Sequence, residues 1–176
     1  LQLARIESRE QAFDLTSVSV CQTADLLVDE LTALSEARNV SLEVDTSADD
    51  VNVKADERGL QTILENLLSN GLKYTPEGGR VGISWTSDAA HALISVRDNG
   101  VGISRENQAR IFERFFRADK ARTREIGGTG LGLAIVKHLA SSFKGEVTVE
   151  SEVGRGSTFT LRIPLWQKAG ESPMHS

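Results

Sequence analysis

Asn66-Leu67-Leu68-Ser69-Asn70 is the stretch on which the reading of this chain turns. It lies within Glu57 to Tyr74, where at about 100° per residue Leu60, Ile63, Leu64, Leu67, Leu68 and Gly71 share one stripe of a helix. Asn66, Asn70, Lys73 and Tyr74 form a second stripe that borders the first instead of opposing it. Polar groups beside an apolar stripe face a crevice, not bulk solvent. Amide oxygens one turn apart suit a hard cation such as Mg²⁺, which keeps its waters and takes few protein ligands. Lys73 adds a point charge suited to phosphate, and Tyr74 a ring suited to a base.

Two later stretches complete the pattern. The apolar run Ala92 to Arg97 delivers Asp98 at a strand end, followed by Asn99-Gly100-Val101-Gly102. A semi-buried carboxylate there is an acceptor for the exocyclic amine of adenine, whereas guanine would present a carbonyl. Gly100 and Gly102 let the backbone approach a ligand without a Cβ in the way. Further on, Gly127-Gly128-Thr129-Gly130-Leu131-Gly132 precedes the apolar helix Leu133 to Leu139. Free N–H groups at the positive end of a helix dipole make an anion site. The run lacks the Lys-Ser/Thr of a P-loop, and no long parallel βαβ pattern surrounds it. Between the last two stretches, Ser104 to Ile126 carries Ile111-Phe112-Glu113-Arg114-Phe115-Phe116-Arg117, then Lys120, Arg122 and Arg124. A long basic segment bounded by glycines is expected to form a lid over a triphosphate, its first half anchored to the core by the phenylalanines. Taken singly, each stretch also fits a surface amide, an Asn-Gly turn or a hinge; their conjunction in this order is what makes a nucleotide site.

These stretches resemble the N, G1, F and G2 boxes of the catalytic, ATP-binding domain of sensor histidine kinases, within the wider group that includes gyrase, chaperone and mismatch-repair ATPases. The resemblance covers roughly Phe13 to Leu165, and Leu3-Ala4-Arg5-Ile6-Glu7-Ser8 is similar to the end of the preceding dimerisation helix. It implies that Asn70 binds Mg²⁺ directly and Asn66 through water, that Lys73 and Arg117 meet phosphates, that Tyr74 lies against adenine and that Asp98 binds its amine. It places Gly100, Gly102, Ile103, Gly128, Thr129, Gly130, Leu131 and Gly132 around the nucleotide, and gives Asn66, Lys73 and Arg117 the catalytic roles. Phe116 stands where the family often has Tyr, and Gly71 where it often has Ala.

The phosphoacceptor histidine of that family, set in His-Glu/Asp-x-x-Thr-Pro, is absent; His91, His138 and His175 have no adjacent acid. The resemblance therefore implies transfer of the ATP γ-phosphoryl to a histidine on a separate helical domain, for relay to a response-regulator aspartate. Two alternatives of other classes stand beside it: a related ATPase or anti-sigma serine kinase, and a nucleotide-binding module without turnover. The hydrolytic relatives place a Glu at position 66 to activate water, and Asn66 cannot accept a proton. Glu65 is one residue off and points about 100° away.

At 176 residues, 39% hydrophobic and 26% charged, the chain is about one domain with room for a core. A net charge of −5 gives no footing for an electrostatic nucleic-acid binder. No apolar run reaches a membrane span, so a cytoplasmic piece is expected, with any membrane anchor in other parts of the parent protein. Cys21, the single cysteine, sits in an amphipathic stretch and is expected as buried filler. The expected organisation is residues 1–12 as the end of the preceding helix, 13–166 as the catalytic domain and 167–176 as a tail. Within it, the patterns predict an edge strand at 12–15, a helix at 18–38, strands at 40–44 and 51–53, and a helix from 57 capped by Asp56. A hairpin of 80–87 and 92–97 follows, then a helix at 130–143 and strands at 146–151 and 157–164. This order implies a two-layer α/β sandwich of the Bergerat type, with helices on one face of a mixed, mostly antiparallel sheet and a lid over ATP.

Overall fold

The computed structural model describes residues 13–45, 49–118 and 129–167. β1 (Thr16–Ser19) leads directly into α1 (Val20–Arg38), followed by β2 (Ser41–Val44), β3 (Asn52–Ala55) and α2 (Glu57–Tyr74). The long hairpin β4 (Arg80–Ser87) and β5 (His91–Asp98) comes next, then a single turn α3 (Arg105–Gln108), α4 (Gly132–Ser142), β6 (Glu146–Glu152) and β7 (Gly156–Pro164). The main sheet runs β2-β4-β5-β7-β6, with β2 parallel to β4 and every other pair antiparallel. The mixed sheet with helices packed on one face is as expected.

Helix boundaries follow their caps. Ser19 Oγ accepts the Gln22 N–H at 3.0 Å, so α1 starts at Val20 and not at 18. Its far end closes on Asn39 in the left-handed region at φ 49°. Asp56 caps α2 by accepting the Gly59 N–H at 2.9 Å, as its sequence suggests. The expected edge strand at 12–15 is not where pairing occurs: the strand is Thr16–Ser19, because only there does the backbone meet Asn52–Ala55 in register. β1 and β3 form a separate two-stranded sheet, and Leu165 bridges to Val53 while the Trp166 N–H donates to the Asn52 carbonyl at 2.8 Å. The segments just before β1 and just after β7 thus meet beside one small sheet. Cys21 is half-buried instead of buried; its thiol lies 3.7 Å from Asp25 Oδ2, and burial followed by Asp25 and Asp50 raises its pKa.

The core lies between the helices and the inner face of the sheet. Leu60, Ile63, Leu64, Leu67, Leu68 and Leu72 of α2 are at most 1% exposed, and Ile135, Val136 and Leu139 of α4 pack beside them. Opposite, β5 alternates so that Ala92, Ile94 and Val96 face inward, paired across the hairpin and onto β7 with Ile163, Leu161 and Phe159. The next residue in that inward phase is Asp98. Strand geometry therefore puts a carboxylate where a core residue would be, at the end of the sheet and 9% exposed.

Candidate nucleotide-binding site

A cavity of about 460 Å³ opens where the C-terminal half of α2, the end of β5, the segment after it and the start of α4 converge. Asn66, Asn70, Lys73 and Tyr74 line it from α2, and Asp98, Gly102 and Ile103 from β5 and the following loop. Arg117, Thr129, Gly130 and Gly132 complete the lining. Gly100 and Leu131 stand behind the wall instead of in it, and Gly128 lies outside the described residues.

Asp98 is the best-defined polar group of the cavity. Its Oδ1 accepts the N–H of Gly100 at 2.8 Å and of Ser157 at 3.3 Å, while no described group bonds Oδ2. Burial holds this carboxyl above its ordinary value of 3.8, against the downward pull of the two N–H donors. One oxygen is committed to the fold and the other remains for a ligand donor. Ser157 is a residue that local pattern reading missed. It lies directly across from Asp98 in the β5–β7 register, and its hydroxyl is 2.9 Å from Ser151 Oγ, which accepts the Ile103 N–H at 2.7 Å. The glycine-flanked turn Gly154-Arg155-Gly156 before it was the available signal.

The metal-suited groups divide. Asn70 is half-buried and its amide bonds no described residue, so its oxygen is free for a cation. Asn66 donates its amide N–H to the Thr62 carbonyl at 2.8 Å, turning Oδ1 toward Gly132, where a Cβ would sit 2.5 Å from it. A side chain at 132 would displace the Asn66 amide from this position. One free amide oxygen with a second one helical turn away fits a Mg²⁺ that keeps most of its waters. Lys73 forms no ion pair with a described residue, and Arg117 has a buried Nε without a partner, so both cations are available to an anion. The start of α4 carries no side-chain cap, leaving its first N–H groups toward the same space.

The segment expected to form the lid is only partly described, since 119–128 lie outside. Its first half is anchored as expected by Ile111, 8% exposed, and by Phe112 edge-on to Phe159 at 6.4 Å. Phe116 lines the cavity under the Arg110 guanidinium, 4.5 Å from its ring centre. Phe115 departs from that expectation: it is 69% exposed with φ 62°, its N–H held by the Gly130 carbonyl at 2.9 Å. That bond joins the phenylalanine segment directly to the glycines before α4. Of the histidines, His91 opens β5 and meets Arg162 Nη2 at 2.8 Å, and His138 is exposed on α4; His175 lies outside the described residues.

Known proteins share both the sequence and the architecture. The chain is 44% identical over 167 residues to the sensor-like histidine kinase SenX3 of Mycobacterium tuberculosis, covering 93% of this chain and 40% of that protein. It is 38% identical over 169 residues to the phosphate regulon sensor protein PhoR of Pseudomonas aeruginosa, covering 96% of this chain and 38% of that one. It spans about 40% of the length of these two curated relatives. Among solved structures, full-length ShkA in complex with AMPPNP superposes with a TM-score of 0.83 at 28% identity, over 95% of this chain and 34% of ShkA. The mycobacterial sensor histidine kinase MprB gives 0.73 at 29% identity, over 86% and 97%. Residues 55–167 match the model of one family, and with the cavity they enclose they show that the chain belongs to the histidine kinase-, DNA gyrase B- and HSP90-like ATPases.

Proposed function

We propose that this chain is the Mg-ATP-binding catalytic part of a two-component sensor histidine kinase. The observation that carries the reading is Asp98 Oδ2, a buried acceptor without a protein donor, in one cavity with Lys73, Arg117 and the free amide of Asn70. Adenine fits the Asp98 end, with Tyr74 beside it, and the phosphates fit the end formed by Lys73, Arg117 and the start of α4. Asn70, and Asn66 through water, would hold a Mg²⁺, which would supply charge neutralisation for the phosphates. The imidazole nitrogen of a histidine on a helical phosphoacceptor domain attacks the γ-phosphorus; the bond to the β–γ bridging oxygen breaks, ADP departs, and the ring loses its N–H proton. Lys73 and Arg117 hold the γ-phosphoryl in line and offset its charge. A response-regulator aspartate takes the group onward.

Asn66 favours transfer over hydrolysis, because an amide cannot act as the general base for water, and Glu65, about 100° round α2 from it, is exposed. The catalytic unit in this reading is 13–166, with 1–12 ending the preceding helix and 167–176 a tail. The unit works in the cytoplasm, and the parent protein carries any membrane anchor. No described helix is long and apolar enough to cross a membrane. The test mixes the chain with labelled Mg-ATP and a separately made four-helix phosphoacceptor domain. Acid-labile, base-stable label on that domain is expected. Label released only as inorganic phosphate would assign the chain to the hydrolases instead.

A further inference from the structure

Helix α2 ends at Tyr74, and Pro76 follows. In an α-helix the carbonyl of Leu72 would bond the N–H of residue 76, which proline does not have. Leu72 and Lys73 are therefore left with carbonyls that need donors from elsewhere. Arg38, the last residue of α1, supplies both: Nε donates to the Leu72 carbonyl at 2.7 Å and Nη2 to the Lys73 carbonyl at 2.8 Å. The planar guanidinium fork suits two carbonyls of one helix turn. Its neighbour Asn39 continues the seam, accepting the Gly78 N–H at 2.7 Å and donating Nδ2 to Glu77 Oε1 at 3.0 Å. Beyond the seam, the Tyr74 carbonyl accepts the Val101 N–H at 3.2 Å, linking the same turn to the loop after Asp98.

We infer that Arg38 is a positioning residue for the nucleotide site: by clamping the last turn of α2 it sets where Lys73 meets phosphate and where Tyr74 meets the base. The inference rests on the nucleotide reading of the cavity. It adds to that reading a residue outside the cavity, 35 positions before Lys73 in sequence, whose guanidinium touches no ligand. It also makes α1, whose first residue adjoins β1, a rigid connection from the small sheet to the phosphate end of the site.

The chain has one tyrosine, so 3-fluorotyrosine labelling of the full 176-residue protein yields a single ¹⁹F resonance, that of Tyr74. The comparison set is wild type, Arg38→Ala, Arg38→Lys and Leu27→Ala. Leu27 is a core residue of α1, 1% exposed and about three turns from Arg38, and its truncation lowers stability without touching the clamp. Arg38→Ala is expected to shift or broaden the Tyr74 resonance of the nucleotide-free protein and to raise the calorimetric Kd for Mg-ATP about tenfold or more. Arg38→Lys, able to donate without the planar fork, recovers part of both effects, and Leu27→Ala leaves both at wild-type values. If Arg38→Ala does not fold, Arg38→Lys decides alone, with a displaced resonance and weaker binding expected. A wild-type resonance and Kd in the Arg38 variants, or an equal effect in Leu27→Ala, overturns the inference. A wild-type protein that binds no ATP refutes the nucleotide reading, and the ¹⁹F comparison still decides the clamp.

Discussion

Replacing Asp98 by Asn separates what the carboxylate does for the ligand from what it does for the fold. Oδ1 is held by two backbone N–H groups, from Gly100 and Ser157, and these donors accept only an oxygen as partner. The amide introduced by Asp98→Asn is thereby oriented with its oxygen toward the backbone and its NH₂ into the cavity, where it opposes the adenine amine, donor against donor. Loss of a hydrogen bond to a charged acceptor removes about 1.5–3 kcal/mol, and the unpaired donors add about 1–3 kcal/mol. A total of about 2.5–6 kcal/mol corresponds to a rise in Kd of about 10²–10⁴. Stability moves the other way. Burial raises the Asp98 pKa, so the folded state prefers the neutral group more strongly than the unfolded chain does. The stability of the nucleotide-free wild type consequently falls as pH rises from 3.8 through the raised value and then levels off, while Asp98→Asn lacks this component. At about pH 7 the variant should melt no lower than wild type, and ATP affinity in the wild type should increase as pH passes the raised pKa and the acceptor ionises. Calorimetry and thermal melts across about pH 4–8 read both. A Kd within about threefold of wild type, or a melting temperature clearly below it at neutral pH, would refute the orientation argument.

Three further outcomes follow from other parts of the molecule. Gly102→Ala places a Cβ at φ 70° against the Glu152 carbonyl; left-handed strain of about 1–2 kcal/mol and a displaced backbone worth about 1–3 kcal/mol should lower the melting temperature by about 5–15 °C, and an unchanged melt would show that the two loops are not packed this closely. Asn70→Ala should abolish the Mg²⁺ dependence of ATP binding in titrations while ADP still binds through Asp98; an unaltered magnesium titration removes Asn70 as a ligand. Leu64→Ala, fully buried and facing away from the cavity wall, should lose about 2–5 kcal/mol in urea unfolding yet keep the Kd for ATP of the folded protein, and a parallel loss of affinity would mean that the core and the site are not separable.

What the sequence disclosed was what a single element carries within itself. The double stripe of α2, the Asp56 and Asp98 placements and the glycines before α4 depend on periodicity and caps, and the structure brings the polar stripe of α2, Asp98, Gly130 and Gly132 together in one cavity. What it hid depends on partners distant in sequence. Thr16-Ser17-Val18-Ser19 has little apolar contrast, and only pairing with Asn52–Ala55 makes it a strand, in a small sheet of its own. Ser157 enters the site through a cross-strand register 59 residues from Asp98, and Arg38 through two backbone carbonyls that no local pattern exposes. Phe115 reads as another core phenylalanine beside Phe112 and Phe116, yet its bond to Gly130 turns it outward.

The small sheet has a mechanical meaning. Leu15 and Trp166, at the two edges of the folded unit, border a common cleft beside His91 and Pro164, the paired residues at one end of β5 and β7. Asp98 and Ser157 are paired at the other end. Seven residue steps at about 3.3 Å put roughly 23 Å between the two. The described residues thus begin and end near one pole and form the candidate site at the other, as a crane carries its hook at the far end of the jib. A pivot of about 25° at the first pole sweeps the hook through about 10 Å on an arm of this length. Neither the sheet nor the cavity has to deform for the load to travel.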